Sequence, residues 1–122
     1  PKIMNTGLQA AINILSKWKC SSSQQQQILG MKKSAYYNYN DKQSMDGVTL
    51  SNDQLERISY ILNMHTTLRL AFDNPENIYG FMAMQNFNPH FNGKAPLDLI
   101  SSGNFGALYE TFKRIDSLRN PI

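Results

Sequence analysis

The stretch Asn88 to Gly103, NPHFNGKAPLDLISSG, constrains this chain more than any other, because no helix can run through it. Pro89 and Pro96 each fix φ and push the preceding residue out of the helical region. Asn92-Gly93 is a turn dipeptide that accepts positive φ. Pro96 suits the first turn of a short helix, where its missing N–H is not needed, and Leu97, Leu99 and Ile100 follow before Gly103 stops it. Asp98 falls in that first turn, where the unpaired N–H groups and the helix dipole favour a carboxylate. The stretch therefore reads as loop, short helix, stop, a structured joint between two longer helices.

Helical periodicity dominates on both sides of the joint. Leu8, Ala11, Ile12, Leu15 and Trp18 recur at three- and four-residue steps and predict an amphipathic helix over Thr6 to Lys19, with Thr6 near its N-cap. Ser21, Ser22 and Ser23 offer N-caps for a second helix, Gln24 to Leu29, which Gly30 is placed to end. A third short helix runs from Lys32 to about Asn40, and Asn40 to Gly47 has the composition of a loop. Ser51 and Gln54 form a capping box for a long helix through about Phe72, whose apolar stripe is Leu55, Ile58, Leu62, His65 and Phe72, supported by Ile61 and Leu68. Asn74 and Pro75 open a further helix ending near Met84 to Asn86, with Ile78, Phe81 and Met82 as its apolar face. Asn104 caps the last helix, where Phe105, Leu108, Phe112, Ile115 and Leu118 recur. No strand-like alternation emerges. The predicted fold is all-α, with an N-terminal three-helix unit (1–47) packed against a C-terminal helical domain (48–122).

Helix, glycine-containing turn, helix is the spacing of a helix-turn-helix, whose second helix enters the DNA major groove. Leu29, Met31, Tyr36 and Tyr39 are expected to pack inward, leaving Lys32, Lys33, Ser34, Tyr37 and Asn38 towards solvent or DNA. The lysines would neutralise phosphates, and the other three would hydrogen-bond phosphates or base edges. Gln25 and Gln26 depart from the pattern, since helix-turn-helix units usually place small residues where the two helices approach. Charge points the same way as spacing. Residues 1–50 carry six Lys against two Asp, whereas residues 51–122 carry six basic against seven acidic side chains, so the excess of the net +3 is N-terminal.

Several function classes find no support. Cys20 is the single cysteine, which excludes an internal disulfide framework and suits a reducing cytoplasm; with no acid–base partner nearby it reads as a small buried thiol. His65 and His90 are the two histidines and lack cysteines or carboxylates at ligand spacing, so no metal site is expected and His65 is expected as a hydrogen-bonded core or interface residue. No apolar run reaches the length of a membrane span, and no signal peptide is expected. No phosphate loop, nucleophile with a base, or spaced carboxylate pair argues for an enzyme or a cofactor.

The order N-P-x-F-x-G-x-x-P-L-D-L-[IL]-x-S-G, followed by a helix to the C-terminus, resembles the C-terminal toxin-binding domain of the Xre/MbcA/ParS-type antitoxins. Gly7 to Trp18, Leu29 to Tyr37 and Leu50 to Leu62 follow in that family's order, so nearly the whole chain is covered. The resemblance implies a RES-domain toxin as partner, which degrades NAD or transfers ADP-ribose and is neutralised when the antitoxin covers the entrance to its NAD pocket. It also implies pairing of two antitoxin copies, and repression of the operon through DNA binding by the helix-turn-helix. Asn88, Pro89, Gly93, Pro96, Leu97, Asp98, Leu99 and Gly103 match the domain's signature, mostly in structural roles. Contact with the toxin would fall to the exposed joint, the last helix and a short extended tail, through Lys113, Arg114, Arg119 and Asn120, with Arg119 placed to engage an anionic pocket or its acidic rim. A stand-alone regulator whose C-terminal half only dimerises is the alternative, and a helical adaptor binding neither DNA nor toxin is a third.

Overall fold

A computed structural model describes residues 2–119 of the chain. Among these residues there is no strand, and seven α-helices follow one another: α1 (Lys2–Lys17), α2 (Ser22–Leu29), α3 (Lys33–Lys42), α4 (Asn52–Ala71), α5 (Pro75–Gly80), α6 (Pro96–Ile100) and α7 (Phe105–Asp116). Short 3₁₀ turns extend α5 over Phe81–Ala83 and α7 over Ser117–Arg119. The all-α architecture is the expected one.

Most helix boundaries follow from local chemistry. Ser21 caps α2 and Ser51 caps α4, each in a full capping box in which a glutamine three residues on, Gln24 or Gln54, reaches back to the cap N–H. Asn74 and Asn104 accept from Asn77 N and Ala107 N at the starts of α5 and α7. Gly30 ends α2 at φ 67°, a conformation open to glycine at little cost. Several boundaries differ from expectation; α1 already ends at Lys17, and α5 gives way at Gly80 to a turn that ends at Ala83. α1 begins at Lys2, so Thr6 lies inside it; and α3 continues to Lys42, where Gln43 ends it at φ 52° by donating to Tyr39 O. Packing of Tyr39 against α1 carries α3 on into a segment whose composition is that of a loop, against the low helix propensity of Asn40 and Asp41.

α4 is the central strut and packs against α1, α2, α5 and α7. One hydrophobic cluster draws on every helix from α1 to α4, on the turn after α5, and on α6 and α7, with Trp18, Tyr39, Ile61, Met64, Leu68, Met82 and Leu108 among its most enclosed members. The apolar stripe of α4 is rotated from the expected one. Arg57, Ile58, Ile61, Met64, Thr67 and Leu68 are buried, while Leu55, Leu62, His65 and Phe72 are only partly so. A helix covered by α1 on one side and α7 on another buries a wide arc centred between them, and the series 57, 61, 64, 68 runs along that centre.

Candidate functional site

The helix-turn-helix candidate is built by α2, the turn Gly30 to Lys32, and α3. Leu29, Met31, Tyr36 and Tyr39 are all buried, and Tyr39 Oη reaches Asn5 Oδ1 at 2.7 Å to tie α3 to α1. The glutamine at the helix crossing has a specific task. Gln25 is buried, its amide nitrogen lies 3.2 Å from both Ser16 Oγ and Cys20 O, and its Oε1 accepts from Tyr36 Oη at 2.7 Å. A small residue would permit closer approach; Gln25 instead bridges α1, α2 and α3 with its own hydrogen bonds, satisfying the buried polar groups it brings. Cys20 beside it is buried, which pushes its thiol up to about 12 and leaves it inert at neutral pH.

Lys32, Lys33, Ser34 and Tyr37 are exposed on the N-terminal half of α3, and Asn38 is half-buried with its amide donating to Asp46 O at 3.3 Å. The first turn of α3 holds no acidic residue, and Lys32 at the N-cap makes no side-chain capping bond. Its first N–H groups, with two adjacent lysines, present positive potential outward. Residues 5–63 match the antitoxin Xre-like helix-turn-helix domain family. The match opens in α1 and closes inside α4, so the matched segment, termed the Xre-like unit below, takes in the first part of the strut on which the C-terminal helices rest. The chain is also 28% identical, over 92% of its length and 83% of the other's, to y4oB of Sinorhizobium fredii, described as an uncharacterized protein. No solved structure matches the chain.

The joint is closed by its own backbone. Asn86 N donates to Lys94 O at 3.1 Å and Gly93 N to Asn86 O at 2.8 Å, while Asn88 O accepts from Phe91 N and Asn92 N. Asn92 and Gly93 take φ of 51° and 85°. Asn88 and Pro89 stand exposed, Phe91 turns into the interior, and Ala95, Pro96, Leu97 and Ile100 are buried. Asp98 Oδ2 accepts from Ala95 N at 3.3 Å, holding the entry to α6; Leu99 is half-buried. Gly103 takes φ 81°, and a Cβ there would lie 2.6 Å from Gln27 Oε1 and 3.2 Å from Gln27 O. The end of the joint is thus pressed against α2 of the Xre-like unit.

One residue fastens this contact, and sequence periodicity alone passed over it. Arg57 is 7% exposed; its Nε donates to Asp53 at 2.8 Å, and Nη1 reaches Gly103 O at 3.0 Å, Ile28 O at 3.3 Å and Gln27 O at 3.4 Å. It also lies over the Phe105 ring. A cation at the C-terminal end of α2 answers the carbonyls that end leaves unpaired. The available signal was its step of four to Ile61 and seven to Met64.

Three of the four residues expected to meet a toxin lie in the last turn of α7 and the 3₁₀ turn after it. Lys113 is exposed with its ammonium 5.6 Å from the Tyr109 ring centroid, and Arg114 is exposed with no ion pair among the described residues. Arg119 is turned towards α4, its Nε donating to Thr67 Oγ1 at 2.7 Å and lying 3.2 Å from Asp116 Oδ1. Asn120 lies outside the described residues. Beside Arg114, a cleft of ≈ 200 Å³ opens between α7 and the loop 86–91, walled by Phe81, Phe91, Ile115 and Leu118, with His90 at its edge. His90 Nε2 is buried without a hydrogen-bond partner among the described residues. Phe87, 79% exposed, and Met84 stand out from the same segment.

His65 differs from expectation. Its ring stacks on Tyr79 at 5.6 Å, but Nδ1 is buried with no hydrogen-bond partner among the described residues, and burial followed by the charges of Arg69 and Lys17 pushes its pKa below the usual histidine value. Stacking in the α4–α5 corner, rather than a hydrogen bond, holds it. Among the described residues no group of three or more His, Cys, Asp or Glu is placed to hold a metal, and no helix is long and apolar enough to cross a membrane.

Proposed function

We propose that this chain is the antitoxin of a type II toxin–antitoxin system, neutralising a RES-domain toxin by covering the entrance to its NAD pocket. The observation that carries the reading is the joining, on one core, of a segment matching the antitoxin Xre-like helix-turn-helix family to a proline-rich joint whose sequence resembles that of a toxin-binding domain. In this reading residues 1–47 face DNA and residues 48–122 face the toxin and a second copy of the chain. Inhibition is steric. The antitoxin performs no catalytic step and needs no cofactor; the exposed part of the joint, α7 and the tail with Lys113, Arg114, Arg119 and Asn120 occupy the toxin's mouth.

The same protein binds its operator. Lys32 and Lys33 meet phosphates, and Ser34, Tyr37 and Asn38 reach phosphates or base edges from α3. The exposed lysines at an uncapped helix start support that assignment.

The test is co-expression with the product of the adjacent gene, followed by size-exclusion chromatography and an NAD-consumption assay. The expected result is a stable complex, with growth and NAD restored relative to the neighbour expressed alone. A neighbour that is not toxic, or that forms no complex and is not silenced, overturns the reading and leaves a stand-alone helix-turn-helix regulator.

A further inference from the structure

We propose that the cleft between α7 and the loop 86–91 is an anchor socket: it takes one apolar side chain from an acidic segment of the protein partner, and Arg114 pairs with a carboxylate of that segment. The proposal rests on the antitoxin reading and says where, and by what chemistry, the partner is gripped.

Size selects the class of occupant. At ≈ 200 Å³ the cleft falls below the roughly 300–1,000 Å³ of sites that enclose cofactor- or drug-sized ligands. It has room for a single leucine or phenylalanine side chain, the kind of anchor that dominates protein interfaces. Phe81 and Leu118 offer apolar surface at its mouth over a floor of Phe91 and Ile115, while Asn86, Asn88 and Ser117 make the rest of its rim polar. Leu118, 38% exposed, would lose that exposure to an occupant.

Charge selects the partner. The last turn of α7 carries Lys113 and Arg114 together with Asp116, which lies 3.2 Å from Arg119 Nε, and Glu110, four residues before Arg114, makes no ion pair with it. Arg114 lies at the cleft without an ion pair among the described residues, so an incoming carboxylate meets a guanidinium that can hold it in a bidentate grip. The cleft is formed by the joint itself, through Asn88, Pro89 and Phe91, which ties it to the segment proposed to meet the toxin.

The probe is 3-phenylpropionate, one phenyl ring and one carboxylate, titrated into the full-length ¹⁵N-labelled chain. The expected result is saturable shifts confined to His90, Phe91, Arg114 and Leu118, with a dissociation constant on the order of millimolar, as the efficiency of so small a ligand implies. Arg114→Gln, at an exposed position, should weaken the fragment about fivefold or more, and Ser117→Trp, which crowds the rim, should abolish the shifts while leaving the remaining spectrum intact. Absence of saturable shifts at those four residues in the wild type overturns the socket, as does undiminished binding by Arg114→Gln. In the complex with the adjacent gene product, the same two variants should weaken association by about tenfold or more, and a complex they leave unchanged also overturns it. A wild-type chain that binds the fragment yet captures no neighbouring product overturns the antitoxin reading alone.

Discussion

Replacing Arg57 by methionine should destabilise the whole chain, because this side chain is where the Xre-like unit and the joint are bolted together. Methionine approximates the stem of arginine, so the loss isolates the guanidinium. The 3.0 Å bond to Gly103 O is worth about 1.5–3 kcal/mol as a charge-assisted bond. The longer contacts to Ile28 O and Gln27 O add about 1 kcal/mol together, since their geometry is near the limit of a hydrogen bond. Asp53 offsets little of this, because its side chain is 52% exposed and regains water when the pair breaks. The net expectation is about 3 kcal/mol, below the top of the range for broken buried pairs. Urea denaturation followed by circular dichroism reads it directly: with a slope of about 2 kcal/mol per M, the midpoint should fall by about 1.5 M. Asp53→Ala should lower stability by less than about 1 kcal/mol, which separates the carbonyl bonds from the ion pair. If Arg57→Met costs no more than Asp53→Ala, the carbonyl bonds carry no energy and the bolt does not exist.

Gly103→Ala should lower stability by about 2 kcal/mol in the same assay, combining a positive-φ penalty with pressure on Gln27 O; pairing it with Gln27→Ala should recover only the side-chain part of the clash. His65 makes stability depend on pH. Its folded pKa lies below the unfolded value near 6.5, so its contribution is complete above pH 6.5 and declines as pH falls towards the folded pKa, with Lys17, Arg69 and Tyr79 as the groups that face it. His65→Phe, which keeps an aromatic ring against Tyr79, should flatten the melting temperature between about pH 7.5 and 5; an unchanged slope would assign the dependence to other groups. Lys32→Ala with Lys33→Ala should weaken binding to duplex DNA and reduce the slope of log K against log salt by about 2, one phosphate contact per lysine. An unaltered slope would remove these lysines from the DNA interface.

Local grammar was legible in the sequence wherever a residue acts on its immediate neighbours. The capping box at Ser51–Gln54, the asparagine caps, Gly30 and the proline-rich joint all involve contacts within about one turn, and the chain encodes such contacts directly; at α2 the sequence left Ser21, Ser22 and Ser23 as alternatives, and the structure selects Ser21 through its box with Gln24. The candidate surfaces were legible by residue type but not by geometry. Arg119 reads as a free guanidinium in a tail, whereas the fold turns it onto Thr67, and Arg114 gains its place beside a cleft only because α7 crosses the loop 86–91.

What the sequence by itself determined was therefore the helical class, the breaks and most of the helix starts, since periodicity and caps are short-range and additive. Only the tertiary structure decided which arc of α4 is buried, because that depends on α1 and α7 pressing from two sides at once. It also decided that Gln25 bridges three helices and that Arg57 joins Ile28 to Gly103. These are bonds between residues distant in the chain, made by polar side chains whose burial is tolerable only when partners arrive from elsewhere in the fold, and no local pattern announces them.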